Sequence, residues 1–310
     1  MTEKKVWDYP KYLSLKAIAH SAVMRYKRLS ILRYIMEPCK TADAIYQPGG
    51  KAGEYAKYAC SIYVGCYGGC DYCYRNEQPL ARAIGGSIVR LKKCFSSEED
   101  AVNTFFRELF GGNRNKPRPE LLKHGIFFTF TSDPGLPETF PLVAAIIAEL
   151  VKLHVPVQFL TKFTGWMDTE IWQDLQSIPE LKQYQAIGFT LTGCDDHEPG
   201  TSPNSDRIAA LQTIHESGFK TFASIEPIID FESSFTMMMQ SSGDVDLYRV
   251  GLLSHRKYDR TELMSFANEL AAIPEKPYIY LKDSFIEQLG RTRESFGENF
   301  VNVDFTPFYV

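Results

Sequence analysis

The chain has 310 residues, enough for one large α/β domain or two modest ones with a sizeable core. Its composition is that of an ordinary globular protein, 44% apolar and 23% charged, and it contains no apolar run long enough to span a bilayer. Lysines occur early but are not followed by the hydrophobic segment of a signal peptide, which argues against secretion. The formal net charge of −4 is uneven: residues 1–60 carry eleven Lys+Arg against five acids, or +6, leaving −10 for the remainder. A basic segment on an acidic body attracts nucleic acid, while solvated helix surface is the plainer explanation.

Taken in order, residues 14–36 predict an amphipathic helix that sets Ile18, Ala22, Leu29, Leu32 and Ile35 on one face, with Pro38 to stop it. The Gly- and Pro-rich stretch 47–53 reads as a loop. Ala59–Val64 reads as a short buried strand, whereas Ile88–Leu91 is too short to assign. Ser96-Ser97-Glu98-Glu99 resembles a capping box opening a helix through Leu109. Strands are then expected at 125–130, 155–160, 186–191, 219–225 and 246–252, with a last strand-like run at 278–281. Helices are expected at 139–153, 168–175, 205–217 and 261–272, the third capped by Ser205 and ended by Gly218. Strands alternating with helices argue for βαβ units and a parallel sheet, open or closed.

Between the first strand and the rest lies Cys66-Tyr67-Gly68-Gly69-Cys70-Asp71-Tyr72-Cys73, three of the seven cysteines in eight residues. Thiolates this close can converge on one soft metal centre, and the glycines allow a tight turn around it. Three ligands are one short of the usual four of an iron–sulfur cluster, which leaves one iron open. Cysteines clustered like ligands, rather than spread as a disulfide framework, point to a reducing cytoplasm. Two plainer alternatives exist. A redox dithiol needs only Cys70 and Cys73, and a structural zinc site would want a fourth Cys or His that the spacing does not supply.

The spacing C-x3-C-x2-C with an aromatic before the third cysteine resembles the signature of radical S-adenosylmethionine (SAM) enzymes. The flanking Gly53-Glu54-Tyr55-Ala56 and Ile62-Tyr63-Val64-Gly65-Cys66 resemble the spore photoproduct lyase-like branch. The resemblance implies a partial (β/α)6 TIM-like barrel over residues 55–282, a helical and basic extension over 1–54, and a C-terminal extension over 283–310. It also implies a 4Fe–4S cluster on Cys66, Cys70 and Cys73, with SAM on the open iron. Reductive cleavage of SAM would then give a 5′-deoxyadenosyl radical that abstracts hydrogen. A reductant such as flavodoxin or ferredoxin is implied, with nucleic acid or a nucleotide as one substrate class and a peptide or small metabolite as another. A non-catalytic metal-binding or redox-sensing module is the competing class.

Barrel active sites form at the C-terminal ends of strands, and here those ends are polar. By resemblance, Ser132 matches a serine near the amino-acid part of SAM, Lys162 a lysine that pairs with its carboxylate, and Thr192 a ribose contact. Tyr72 and Tyr74 match aromatics beside the third cysteine, Tyr72 near adenine and Tyr74 near the reacting centre. Asp133 and Glu226 are acceptors for the SAM ammonium or the substrate, Glu226 with a structural ion pair to Arg207 or Arg249 as its alternative. The lyase has a hydrogen-donating cysteine where this chain has Phe130, so Cys194 becomes the candidate donor, with a small buried hydrophobe as its plainer role. Glu198 and Arg207 are expected to pair and fix the loop after the fourth strand.

Overall fold

Apolar runs bounded by polar caps produce alternating short strands and helices, as the order of segments requires. The structure, a computed structural model, describes residues 8–28, 43–111 and 116–309. Leu29, Leu32, Ile35, Pro38 and Cys39 therefore lie outside the described residues. The chain divides into two compact units: Met1–Tyr67, Tyr74–Phe159 and Gly165–Gln185 form one, and Gly68–Cys73, Leu160–Thr164 and Ala186–Val310 form the other.

Elements of the first unit are α1 (Tyr9–Arg28), β1 (Ile45–Tyr46), β2 (Ala59–Cys60), β3 (Tyr63–Val64), α2 (Ala81–Ile84) and β4 (Arg90–Leu91). They continue with α3 (Glu98–Phe110), α4 (Pro119–His124), β5 (Ile126–Phe128), α5 (Phe140–Lys152), β6 (Val157–Thr161), α6 (Glu170–Gln176) and α7 (Leu181–Tyr184). β2, β5 and β6 pair in parallel, and β1 flanks β2 antiparallel. The expected strand at 59–64 is in fact two. Cys60 pairs with Phe128 of β5, while Tyr63 and Val64 leave that ladder and pair antiparallel with β4. Ser61 marks the break, because its hydroxyl accepts from the Thr129 side chain at 2.7 Å.

Every residue of α5 from Phe140 to Val151 is buried, so this helix needs partners on all sides. It packs against α1, α6 and α7. Phe140, Phe159 and Trp172 surround Trp166 with ring centroids 5.3, 5.1 and 4.9 Å away. The buried stripe of α1 is Tyr12, Leu15, Ala19, Ala22 and Val23, with Ile18 only half-buried, so the face is rotated from the expected one. The Tyr12 hydroxyl donates to Asp174 Oδ2 at 2.7 Å, and Lys16 pairs with the same oxygen. Lys11 pairs with Glu98 at 2.8 Å, and Glu98 also accepts the Tyr63 hydroxyl.

The second unit holds β7 (Gln185–Thr190), α8 (Asn204–Glu216), β8 (Lys220–Ile228), α9 (Phe231–Ser241), β9 (Leu247–Leu252), α10 (Arg260–Ala271), β10 (Tyr278–Leu281) and α11 (Asp283–Leu289). β7, β8, β9 and β10 pair in parallel in that order. The chain is thus an α/β protein with mostly parallel strands. One face of this sheet carries Thr190, Ser224, Arg249 and Tyr280 in register, all buried. Parallel strands are usually apolar on both faces, so this polar row is a feature to account for. Ser205 does not cap α8: Pro203 precedes the helix without a side-chain cap. α9, α11 and α4 are helices beyond those expected, although Asp230 caps α9 through the Ser233 amide at 2.7 Å, Gly290 ends α11, and Pro119 and Gly125 bound α4. No described helix is long and apolar enough to cross a membrane.

Asp174 carries a testable consequence. Burial pushes its carboxyl up, but the bonds from Lys16 and Tyr12 outweigh burial and hold it below the ordinary range. A depressed carboxyl contributes stability above its unfolded pKa, and that contribution is lost as pH falls through the folded value. Asp174→Asn is expected to lower stability by about 1–2 kcal/mol at neutral pH and to flatten the acid limb of the profile, both read by urea unfolding.

Candidate metal and cofactor site

In the first unit, the segment leading into Cys66 is clamped by the end of β5. Gly65 donates its amide to Thr131 O at 3.2 Å, and its carbonyl accepts the Ser132 hydroxyl at 2.6 Å. Thr131 also donates its hydroxyl to Tyr63 O. The Cys66 amide donates to Gly86 O at 3.1 Å. Gly65 has φ +90, and a Cβ there would meet Ile88 O at 2.0 Å, so only glycine fits the approach of the two chains. Ser132, expected at a ligand, is therefore engaged with the backbone next to Cys66. Asp133 closes its own turn, accepting the Gly135 amide at 2.9 Å. Tyr74 is 43% exposed and donates to Phe130 O. Phe130 stacks on Phe127 with centroids 4.5 Å apart and meets Tyr55 edge-on, an aromatic packing role where the lyase has its cysteine.

In the second unit, Cys70 and Cys73 share one turn, closed by the Cys73 amide on Cys70 O at 3.3 Å. Burial pushes the Cys70 thiol pKa up, Lys162 pulls it down, and Glu198 and Cys73 push it up again. Two half-buried thiols that each disfavour the other's ionisation are a donor pair whose thiolate forms a cation would stabilise, as a soft metal centre does. Among the described residues, no three His, Cys, Asp or Glu side chains converge closely enough to hold a metal ion by themselves.

Lys162 lies at the end of β6 with Nζ 5.4 Å from the Tyr72 ring centroid and 3.9 Å from Glu198 Oε1. Glu198 and Arg207 pair at 2.7 Å with both side chains out of solvent. Glu198 also accepts the Tyr72 hydroxyl, whose pKa is pushed far up by burial and by that carboxylate. The expected pairing of Glu198 with Arg207 is present, and it reaches the cysteine turn through Tyr72.

The remaining strand ends separate into two groups. Thr192 is buried, and its hydroxyl accepts the Cys194 amide at 3.3 Å. The half-buried Cys194 thiol has its pKa raised by burial, lowered by a Ser233 hydrogen bond, and raised by Asp230, Glu198 and Asp195. It therefore keeps its S–H at neutral pH. Glu226 pairs at 2.7 Å with Lys282, whose side chain is 0% exposed, a partner that the sequence reading did not include beside Arg207 and Arg249. Gly251 makes room for that pair, since a Cβ there would stand 2.8 Å from both the Glu226 carboxyl and Lys282 Cδ. Lys282 was overlooked in the sequence, although it follows the last strand as Lys162 follows β6.

Two substitutions test this geometry. Arg207→Met strands a buried carboxylate and is expected to cost about 3–5 kcal/mol in denaturant unfolding. Gly65→Ala is expected to displace the β3–β4 pair, seen as faster hydrogen exchange at Cys66 and Arg90 with the second unit's strands unchanged.

No family model matches the chain, and no solved structure matches it. The chain is similar to uncharacterized protein MJ0683 of Methanocaldococcus jannaschii, 28% identical over 184 residues. The match covers 56% of this chain and 61% of that protein, so the chain spans about three fifths of its relative's length.

Proposed function

We propose that this protein is a radical SAM enzyme built on a partial (β/α)6 barrel, with Cys66, Cys70 and Cys73 holding a 4Fe–4S cluster. The observation that carries the proposal is the grouping in the second unit of the Cys70–Cys73 turn, the Tyr72 ring whose hydroxyl Glu198 accepts, and the Lys162 ammonium 5.4 Å from that ring. When bound, the cluster and SAM supply reductive cleavage of the sulfonium to methionine and a 5′-deoxyadenosyl radical that takes hydrogen from a substrate.

This chain's own residues bind and orient. Lys162 offers a cation for the SAM carboxylate, while Asp133 and Glu226 offer acceptors for its ammonium. Ser132 holds the backbone beside Cys66 through its bond to Gly65 O, and the amino-acid part of SAM would lie near it. Tyr72 gives an aromatic face to adenine, and Thr192 a hydroxyl to ribose. Tyr74 stands beside the reacting centre, and Cys194 keeps the S–H needed of a hydrogen donor. All six described cysteines are free thiols, which suits a reducing cytoplasmic setting with flavodoxin or ferredoxin as electron source. Nucleic acid or a nucleotide is the proposed substrate class, resting on the basic N-terminal segment; a peptide or small metabolite is the alternative.

A metal-binding or redox-sensing module is favoured by one observation, that Cys70 and Cys73 share a turn as a dithiol does. One experiment separates the two. Anaerobic reconstitution with iron and sulfide, reduction and addition of SAM is expected to give a brown protein that forms 5′-deoxyadenosine. Cys70→Ala should abolish product, and Lys162→Ala should weaken SAM binding by roughly tenfold or more. Zinc in place of iron, and no deoxyadenosine from the wild type, would overturn the enzyme proposal.

A further inference from the structure

Glu198 touches neither thiol, yet several contacts to the cysteine turn run through it and its neighbours. Arg207 holds one carboxylate oxygen at 2.7 Å and is itself fixed by Ser202 O at 2.7 Å, Thr190 O at 2.8 Å and the Thr201 hydroxyl. The other oxygen accepts Tyr72, the residue between Cys70 and Cys73 in the turn. On either side of Glu198 the same segment grips the same turn. His197 O accepts the Asp71 amide at 3.2 Å, His197 Nδ1 meets Asp71 Oδ2 at 2.6 Å, and Gly200 donates to Gly68 O at 3.0 Å. The segment also holds the backbone of Lys162, whose carbonyl accepts the Ser202 amide at 3.1 Å.

We infer that Glu198 is a positioning residue that sets the Cys70–Cys73 turn through Tyr72. Its charge is matched by Arg207 at 2.7 Å, so the carboxylate can accept the Tyr72 hydroxyl without standing buried and alone. This inference rests on the proposed function only in treating Cys70 and Cys73 as ligands.

The test uses metal-free, full-length protein. Each cysteine is followed by mass spectrometry during iodoacetamide alkylation, with Cys66 as internal reference. Tyr72→Phe removes the hydroxyl that reaches Glu198 and the Cys70 thiol while leaving the Glu198–Arg207 pair intact, so Cys73, which that hydroxyl does not touch, carries the comparison. The double variant Glu198→Met with Arg207→Met removes both charges together, so neither is left buried alone. Both are expected to raise the alkylation rates of Cys70 and Cys73 about tenfold relative to Cys66. Unchanged ratios in Tyr72→Phe, or an equal rise at all three cysteines, would overturn the inference. A wild type that loads no iron would instead remove the proposed function, and the thiol ratios would still decide this one.

Discussion

Two opposite charges sealed from water must satisfy each other, and the Glu198–Arg207 pair does so with four further polar groups around it. Removing two charges from water is unfavourable by several kcal/mol per ion, so such a pair adds little net stability. What it supplies is direction. Arg207 comes from α8, Glu198 from the loop after β7, and the pair's hydrogen bonds end on Tyr72 in the cysteine turn. The loop after β7 therefore has one allowed conformation, and the turn that follows from it inherits that constraint. Apolar substitutes of equal volume could fill the same space, but they could not aim a hydroxyl.

Much of the fold was legible in the sequence because it is written in periodicity. The buried helix α5, the strand cores of β5 to β9 and the cap at Ser97 follow from local apolar patterns and side-chain acceptors. Where the pattern misled, a long-range contact had intervened. The run at 59–64 looks like one strand, yet Ser61 is drawn to Thr129, 68 residues away, and splits it. The face of α1 turned because Tyr12 and Lys16 reach Asp174, a partner no window around residue 12 contains.

The site was legible to the extent that it is local. Three cysteines in eight residues, and lysine or carboxylate groups ending apolar runs, are visible one segment at a time. Connections between segments were harder to see. Glu226 pairs with Lys282, which lies just beyond the end of β10 and 56 residues away, so no local pattern around either residue announces the contact. Gly251 gave no signal of its own: a glycine in a strand reads as a weakness until the carboxylate and lysine beside it are placed. Ser132 illustrates the reverse case, a residue whose position suggested a ligand and whose hydroxyl is engaged with Gly65 O.

The ion pairs of α1 change how the N-terminal charge should be weighed. Polyelectrolyte association gains free energy mainly from small ions released when a protein cation replaces them along a phosphate backbone. Lys11 and Lys16 are already matched by Glu98 and Asp174, so they would have to give up those partners before taking the place of cations on a phosphate backbone. At most nine of the eleven Lys and Arg in residues 1–60 remain to act in that way. The sequence tally of +6 thus overstates the polyanion-binding capacity of the folded segment, because part of it serves to fasten a helix.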